Sequence, residues 1–431
     1  MTVERTDRVR ETTSIHLGME VRDMLERIRR SFPDSPDAME YFYRRHQEHY
    51  GDGEGFGNDE NIIGTMCLQV PEELILAAGA RPLRLCSGAH AYEQYGSEFM
   101  PAKSCSLIKA TLGLLAIRKQ SGLPMPRMIV IPTTCDQRRK SVDIMRDMGI
   151  EAYPLEIPAN KDSEESRYYW QNSIRTFAEK LQQMTGRKIT TASLKKSILT
   201  IQEARSAYRR LQAMTQDGGK AALYGTQRFM VTNSYFFDDL ESWTAAVNQL
   251  NEELEKRITD GRCVGHRHTP RILFTGSPPI FPNLKLPLLI EESGGVIVTD
   301  EVCSSSRILA DTVVLEENGL YDLVPAIADR YLKPCTCPTF TPNEDRKRKL
   351  RDQAAVHKVD GVVYLTVAGC MPYDMEQRGV GAFLNDLGVP MLAVESDYSP
   401  EDAGQLSTRV EAFIESLTAR NRKRARGGVS P

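Results

Sequence analysis

Three apolar runs along the chain are each followed by a cysteine. Residues 128–132 are apolar and rich in β-branched side chains, and Cys135 comes shortly after them. The runs at 295–299 and 361–368 have the same character and lead to Cys303 and Cys370. A run without a polar face is typical of a strand buried on both sides of a parallel sheet. Because such sheets bind ligands beyond the carboxyl ends of their strands, the pattern predicts three thiols at a ligand-binding edge.

Short strands and helices alternate through most of the chain, which indicates an α/β fold. The stretch 162–258 differs, since it consists of long, charged, Gln-rich segments with helical periodicity. We predict two Rossmann-like parallel-sheet domains with a helical insertion and a helical N-terminal segment. A Gly-rich connector over 51–57 would follow the N-terminal helices. The predicted boundaries are 1–60 for the N-terminal segment, 61–160 for the first α/β domain, 161–262 for the helical domain and 263–431 for the second α/β domain.

Composition excludes several classes of protein. The 431 residues carry a formal net charge of −3 and are 41% hydrophobic, which is ordinary for a globular protein and argues against a nucleic-acid partner. The basic run at 420–426 is interpreted as a solvated tail. No apolar run has the length of a membrane span or signal peptide, so we expect a cytoplasmic protein. Its nine cysteines must then serve metal binding, redox chemistry or burial rather than disulfides.

The positions of the cysteines favour a buried cluster over an ordinary zinc site. Cys67 and Cys105 are predicted just before helices, where backbone N–H groups stabilise a thiolate. The chain has no Cys-x2-Cys pair, and its one close pair is Cys335 and Cys337. Thiols scattered over the whole chain suit a cluster held between domains, with ligands from both sides. We interpret Cys86 and Cys263 as structural, and prefer a solvated loop to a weak metal site at His266 and His268.

Several motifs together resemble the 2-hydroxyacyl-CoA dehydratase and benzoyl-CoA reductase superfamily over nearly the whole chain. They are Cys67-x3-Pro-Glu-Glu, Cys-Ser-Leu-Ile-Lys at 105–109, Thr-Thr-Cys-Asp at 133–136, Asp-Glu-Val-Cys at 300–303, Pro-Cys at 334–335 and Asp-Gly-Val-Val at 360–363. In dehydratase subunits of this family three cysteines hold one [4Fe–4S] cluster. The resemblance assigns that role to Cys67, Cys105 and Cys303.

Additional cysteines make the chain similar to the double-cubane subgroup, in which six cysteines hold an [8Fe–9S] cluster. The additional candidates are Cys135, Cys370 and one of the close pair. We prefer Cys335 to Cys337, because the Pro-Cys pair of the family falls at Cys335. The candidate pocket groups are those next to the cysteines in sequence: Lys109, Thr133, Asp136, Ser304, Ser305, Arg307 and Tyr373. Of these, we nominate Lys109, Asp136, Ser304 and Arg307 as catalytic residues. The alternative for each is that it supports a cysteine ligand rather than contacting the substrate.

The resemblance implies an ATP-dependent, low-potential iron–sulfur reductase of small molecules that forms a homodimer. The sequence has no Gly-x4-Gly-Lys-Ser/Thr loop to bind ATP. In this family ATP is hydrolysed by a separate homodimeric activator that carries its own [4Fe–4S] cluster. Two alternatives stay open: a lyase subunit of a [4Fe–4S] 2-hydroxyacyl-CoA dehydratase, and a non-catalytic protein that stores or assembles clusters.

Overall fold

A computed structural model describes residues 3–51, 61–214, 221–266, 268–309, 311, 313 and 320–427. From residue 52 onward, the predicted Gly-rich connector lies outside the described residues. The described chain forms two four-stranded parallel sheets with helices around them. The predicted fold class, with two Rossmann-like parallel-sheet domains, is therefore confirmed.

The first sheet has the strand order β2-β1-β3-β4. Its strands are β1 Ile62–Thr65, β2 Arg81–Arg84, β3 Met128–Pro132 and β4 Ala152–Leu155. The central strand β3 is buried along its whole length, as its apolar sequence predicts. Strand β1 was not predicted from the sequence. It has four residues, one of them a glycine, and is too short to show an alternation of apolar and polar side chains.

The second sheet repeats this arrangement with the order β6-β5-β7-β8. Its strands are β5 Arg271–Gly276, β6 Val296–Glu301, β7 Gly361–Val367 and β8 Met391–Ser396. In both sheets the first strand along the chain lies between the second and the third. This order creates a switch point between the first and third strands, where open α/β sheets form their binding crevices. Each half of the molecule therefore has one such crevice.

Sixteen helices are described, in addition to a π-helical turn at Gln47–Gly51. Those before the second sheet are α1 Val3–Ser31, α2 Met39–His46, α3 Glu72–Ala77, α4 His90–Gly96, α5 Ser106–Gln120, α6 Asp136–Asp147, α7 Glu164–Thr185, α8 Thr191–Ala213, α9 Gly225–Ser234 and α10 Leu240–Thr259. The remaining helices are α11 Lys285–Glu292, α12 Ser306–Leu309, α13 Leu320–Leu332, α14 Glu344–Val356, α15 Met371–Asp386 and α16 Ala403–Gly427.

The helical stretch between the sheets begins its helices with capping side chains. Ser163 accepts a hydrogen bond from the backbone N–H of Ser166 at the start of α7, and Thr190 and Ser193 form a capping box at α8. Helix α9 is buried throughout and packs on α11 and β6, so this stretch is closely joined to the second sheet. The domain boundaries given above stay a prediction.

The basic run at 420–426 continues the last helix. Helix α16 begins at Ala403 and extends to Gly427, so it includes the whole of this run. Arg422 and Lys423 are exposed on it, as expected of a solvated segment. None of the described helices combines the length and apolar character that crossing a membrane requires.

Candidate metal centre

A cavity of about 420 Å³ lies at the carboxyl ends of the strands of both sheets. Its lining includes residues that follow β1, β3, β5, β6 and β7. Six of the lining residues are cysteines, three from each half of the molecule: Cys67, Cys105, Cys135, Cys303, Cys337 and Cys370. Residues far apart in sequence are therefore brought to one site by the two switch points.

Three of the cavity cysteines occupy the position just before a helix. Cys105, Cys135 and Cys370 are the N-cap residues of α5, α6 and α15. The free N–H groups and the dipole at a helix start favour negative charge there. Cys67 differs from the prediction, because it lies two residues after β1 and five residues before α3. The turn at 68–71 separates it from that helix.

The two members of the close pair, Cys335 and Cys337, differ in their position relative to the cavity. Cys337 lines the cavity, whereas Cys335 does not. Cys335 is buried, with its Sγ 3.6 Å from Gln69 Nε2, and its carbonyl oxygen accepts a hydrogen bond of 2.7 Å from Lys161 Nζ. The structure thus places the alternative member of the pair, rather than the preferred one, with the other five thiols.

The thiols differ in acidity because they differ in hydrogen bonding and burial. A hydrogen bond from the Cys370 thiol lowers the pKa of Cys105 to about 7, assisted by backbone N–H groups at the start of α5. The same hydrogen bond and burial raise the pKa of Cys370. Burial raises the pKa of Cys303 to about 12 and also raises the pKa of Cys135 and Cys337. A metal centre bound by these thiols would therefore have to release protons from several of them.

Gln137 joins the two halves beside the thiols. Its Oε1 accepts a hydrogen bond of 2.7 Å from the backbone N–H of Cys105, and its Nε2 donates one of 3.0 Å to the carbonyl of Gly369. Gly369 has a φ of +76°, and a Cβ there would come within 2.6 Å of the Lys103 carbonyl oxygen. This close approach and the Gln137 side chain fix Cys105 and Cys370 relative to each other.

Two charged residues of α6 line the cavity. Asp136, which was nominated from the sequence, is exposed there. Arg138 is partly buried and donates a hydrogen bond to the carbonyl of Met66. Burial lowers the pKa of Arg138, but the neighbouring cysteines, chiefly Cys67, outweigh it and raise the pKa above its ordinary value. Sequence reasoning missed Arg138, although a residue three positions after the helix-capping Cys135 lies on the same helix face.

Comparison with known proteins shows the family of the chain. The model of the family described as 2-hydroxyglutaryl-CoA dehydratase, D-component, matches residues 67–417, a range that contains all six cavity cysteines. The chain belongs to this family. The predicted superfamily is therefore confirmed.

Three relatives match most of the chain. YjiM of Escherichia coli strain K12, provisionally named a dehydratase subunit, is 30% identical over 83% of this chain and 91% of its own length. The (R)-phenyllactyl-CoA dehydratase beta subunit of Clostridium sporogenes is 24% identical over 90% of this chain and 97% of its own length. A benzoyl-CoA reductase subunit of Thauera aromatica is 24% identical over 80% of this chain and 87% of its own length.

In this member of the dehydratase D-component family, two nominated cations lie behind the cavity wall. Lys109 Nζ is 3.2 Å from an oxygen of the Glu93 carboxylate. Arg307 makes bonds of 2.5 and 2.6 Å to the two carboxylate oxygens of Glu301. Arg307 also donates a bond of 2.8 Å to the hydroxyl of Tyr373, which does line the cavity. Both cations are thus neutralised by partners that the sequence did not reveal.

The nominated serine and threonine residues also lie outside the group of side chains that line the cavity. Thr133 donates a hydrogen bond of 3.1 Å to Glu156, and Ser305 donates one of 3.0 Å to Asp300. Ser304 is buried, and its hydroxyl has no hydrogen-bond partner among the described residues. None of the three belongs to the cavity lining. Of the seven nominated pocket groups, the structure brings Asp136 and Tyr373 to the cavity.

The remaining cysteines lie outside the cavity lining. Cys86 is buried, with its Sγ 3.7 Å from the Met66 carbonyl oxygen, and Cys263 is half-buried beside an isolated bridge of Val264. Within the described ranges, no three His, Cys, Asp or Glu side chains converge closely enough to hold a single metal ion. The six cavity thiols are instead distributed around the walls.

Proposed function

We propose that this protein is an ATP-dependent, low-potential reductase of small molecules whose cavity holds an [8Fe–9S] double-cubane cluster. One observation carries the proposal: six thiols, three from each half, line one cavity at the switch points of both sheets. The proposed ligands are Cys67, Cys105, Cys135, Cys303, Cys337 and Cys370. Cys337 takes the place first given to Cys335, because Cys337 lines the cavity.

The donor set fits this cofactor. Cysteine thiolates are the usual ligands of iron–sulfur clusters. Two cubanes joined by one shared sulfide leave three corners each, so the pair needs the six thiolates that the cavity offers. Helices α5, α6 and α15 direct free N–H groups toward the same space, where cluster sulfides need hydrogen-bond donors. When bound, the cluster would supply electrons at low potential.

The cavity walls would control water and the entry of substrate. Leu68, Leu107, Ile108 and Val367 line the walls with apolar side chains, which exclude water and favour a low reduction potential. Met371 and Met375 lie at the edge of the cavity and are exposed. Their position offers a small substrate an apolar entrance, and Asp136 is the exposed polar group within reach of it.

Electron delivery would require a second protein. Because the chain has no phosphate-binding loop for ATP, we propose a separate homodimeric ATPase activator that carries its own [4Fe–4S] cluster. The dehydratase and reductase relatives are themselves named as subunits, which supports a protein that works as one component of a larger system. We further propose that the chain forms a homodimer and acts in the cytoplasm.

A second candidate is a subunit of a 2-hydroxyacyl-CoA dehydratase with one [4Fe–4S] cluster. The name of the family and those of the dehydratase relatives favour it. In this case Cys67, Cys105 and Cys303 would hold the cluster, and the other three cavity thiols would be free.

Counting iron and acid-labile sulfide in the anaerobically purified protein separates these proposals. We expect about eight iron atoms per chain for the double-cubane cluster and about four for the dehydratase cluster. Zinc alone, or no metal, would contradict both. Reduction of a small substrate should require ATP and the activator, and turnover without either of them would overturn the proposed electron route.

A further inference from the structure

Arg138 is a cation in the wall of the cavity that has no counter-ion among the described residues. Its guanidinium lies among the thiols, and its hydrogen bond to the described part of the chain goes to the neutral carbonyl of Met66. No carboxylate among the described residues lies within salt-bridge distance of it, as the ion pairs of the chain show. Partly burying an unpaired charge is costly unless something in the site compensates it.

The other cations near the cavity are different. Lys109 is paired with Glu93, and Arg307 is paired with Glu301. The cations behind the cavity wall are therefore paired with carboxylates, whereas Arg138, in the wall itself, has no such partner among the described residues. A bound anionic group is the partner that this arrangement lacks.

We propose that Arg138 is the counter-charge of the cluster, offsetting the negative charge of the thiolate-bound group and raising its reduction potential. This inference rests on the proposed function of the cavity. Six thiolates and their sulfides give the site a large negative charge, and net charge and hydrogen bonds to sulfur are among the factors that set the potential. A nearby cation stabilises the reduced state more than the oxidised one, because the reduced state is more negative.

The test compares reduction potentials of the anaerobically prepared holoprotein. Arg138→Gln removes the charge, Arg138→Lys keeps it, and Arg139→Gln removes an exposed charge from the next position of the same helix as a matched control. We expect Arg138→Gln to have the iron content of the wild type and a more negative midpoint potential. Arg138→Lys should lie closer to the wild type, and Arg139→Gln should equal it.

Arg138→Gln with full iron and the wild-type potential would overturn the inference and leave the proposed function intact. Loss of iron from Arg138→Gln but not from Arg138→Lys would support a role of the charge in holding the cluster. Loss from both would refute that role. A wild-type protein without iron would overturn the proposed function and this inference together.

Thermal unfolding of the metal-free protein gives an independent readout. If Arg138 serves the bound group, Arg138→Gln should not lower the melting temperature of the metal-free protein but should lower that of the holoprotein. An equal drop in both forms would show that Arg138 mainly supports Met66 and the local fold, and would contradict the inference.

Discussion

The two halves of the molecule build the same sheet but surround the cavity with different charges. Each contributes three thiols from the carboxyl ends of its strands. The second half backs its thiols with a buried ionic network. Glu301 pairs with both Arg307 and Arg346, and Arg346 also pairs with Glu376. The first half places Arg138 in the wall without a carboxylate partner among the described residues.

This difference indicates that the two halves have different roles at the cavity. An ionic network that is satisfied internally holds its residues in place and presents little net charge to the cavity. An unpaired cation leaves its charge available to a ligand. We infer that the second half gives the site its rigidity, while the first half gives it its positive charge.

The largest effect on stability should come from the network of the second half. Glu301→Gln leaves Arg307 without its carboxylate partner and Arg346 with Glu376 alone, so we expect the metal-free protein to lose about 3–5 kcal/mol of unfolding free energy. Urea unfolding measures this loss. Glu255→Gln is the control, because it breaks the exposed pair with Arg210 and should cost less than about 1 kcal/mol. Equal losses of unfolding free energy in the two variants would contradict the proposed structural role of the buried network.

Glu93 gives a pH-dependent test in the first half. Burial raises its pKa, but the neighbouring polar side chains of His90 and Ser106 and the charge of Lys109 outweigh it and lower the pKa to about 2. A lowered pKa stabilises the fold above the ordinary value of 4.5, and this contribution is lost as the pH falls toward 2. We expect Glu93→Gln to cost roughly 3 kcal/mol near neutral pH.

The cost of Glu93→Gln should shrink to about half or less near pH 3, because Glu93 is then mostly protonated in the unfolded chain but still ionised in the folded protein. Chemical unfolding of both proteins over a series of pH values measures the difference. A cost that does not change with pH would show that Glu93 acts through packing rather than charge.

A smaller effect is expected where the halves meet. Gly369→Ala places a Cβ against the Lys103 carbonyl at a positive φ and should cost about 1–3 kcal/mol. Gly379→Ala is the matched control, because no atom lies within 4 Å of the added Cβ in the exposed part of α15. That control should gain roughly 0.5–1 kcal/mol in unfolding free energy. A Gly369→Ala protein as stable as the wild type would show that the halves can move apart there.

The fold could be predicted from the sequence where burial leaves a strong pattern. Strands β3, β6 and β7 are buried along their whole length, and their apolar runs predicted them directly. The strand order could not be predicted, because it depends on which strands pair. For the same reason, the sequence did not show that the two sheets share one order.

The sequence predicted that cysteines form the site, but it did not predict which residues line the cavity. Five of the six cavity cysteines were named as preferred ligands, and Cys337 was named as the alternative to Cys335. Lys109 and Arg307 were nominated because they lie next to cysteines in sequence. Their carboxylate partners, Glu93 and Glu301, become visible only in three dimensions. Arg138 was not nominated, because only the fold shows that it lines the cavity and that no carboxylate among the described residues pairs with it.

We propose above that the thiols facing the cavity hold an iron–sulfur cluster. The most direct test is the iron content of anaerobically prepared Cys337→Ser compared with Cys335→Ser, because these cysteines are two residues apart and only Cys337 lines the cavity. We expect Cys337→Ser to lose iron and Cys335→Ser to keep the wild-type content. Full iron in Cys337→Ser together with loss from Cys335→Ser would contradict this proposal.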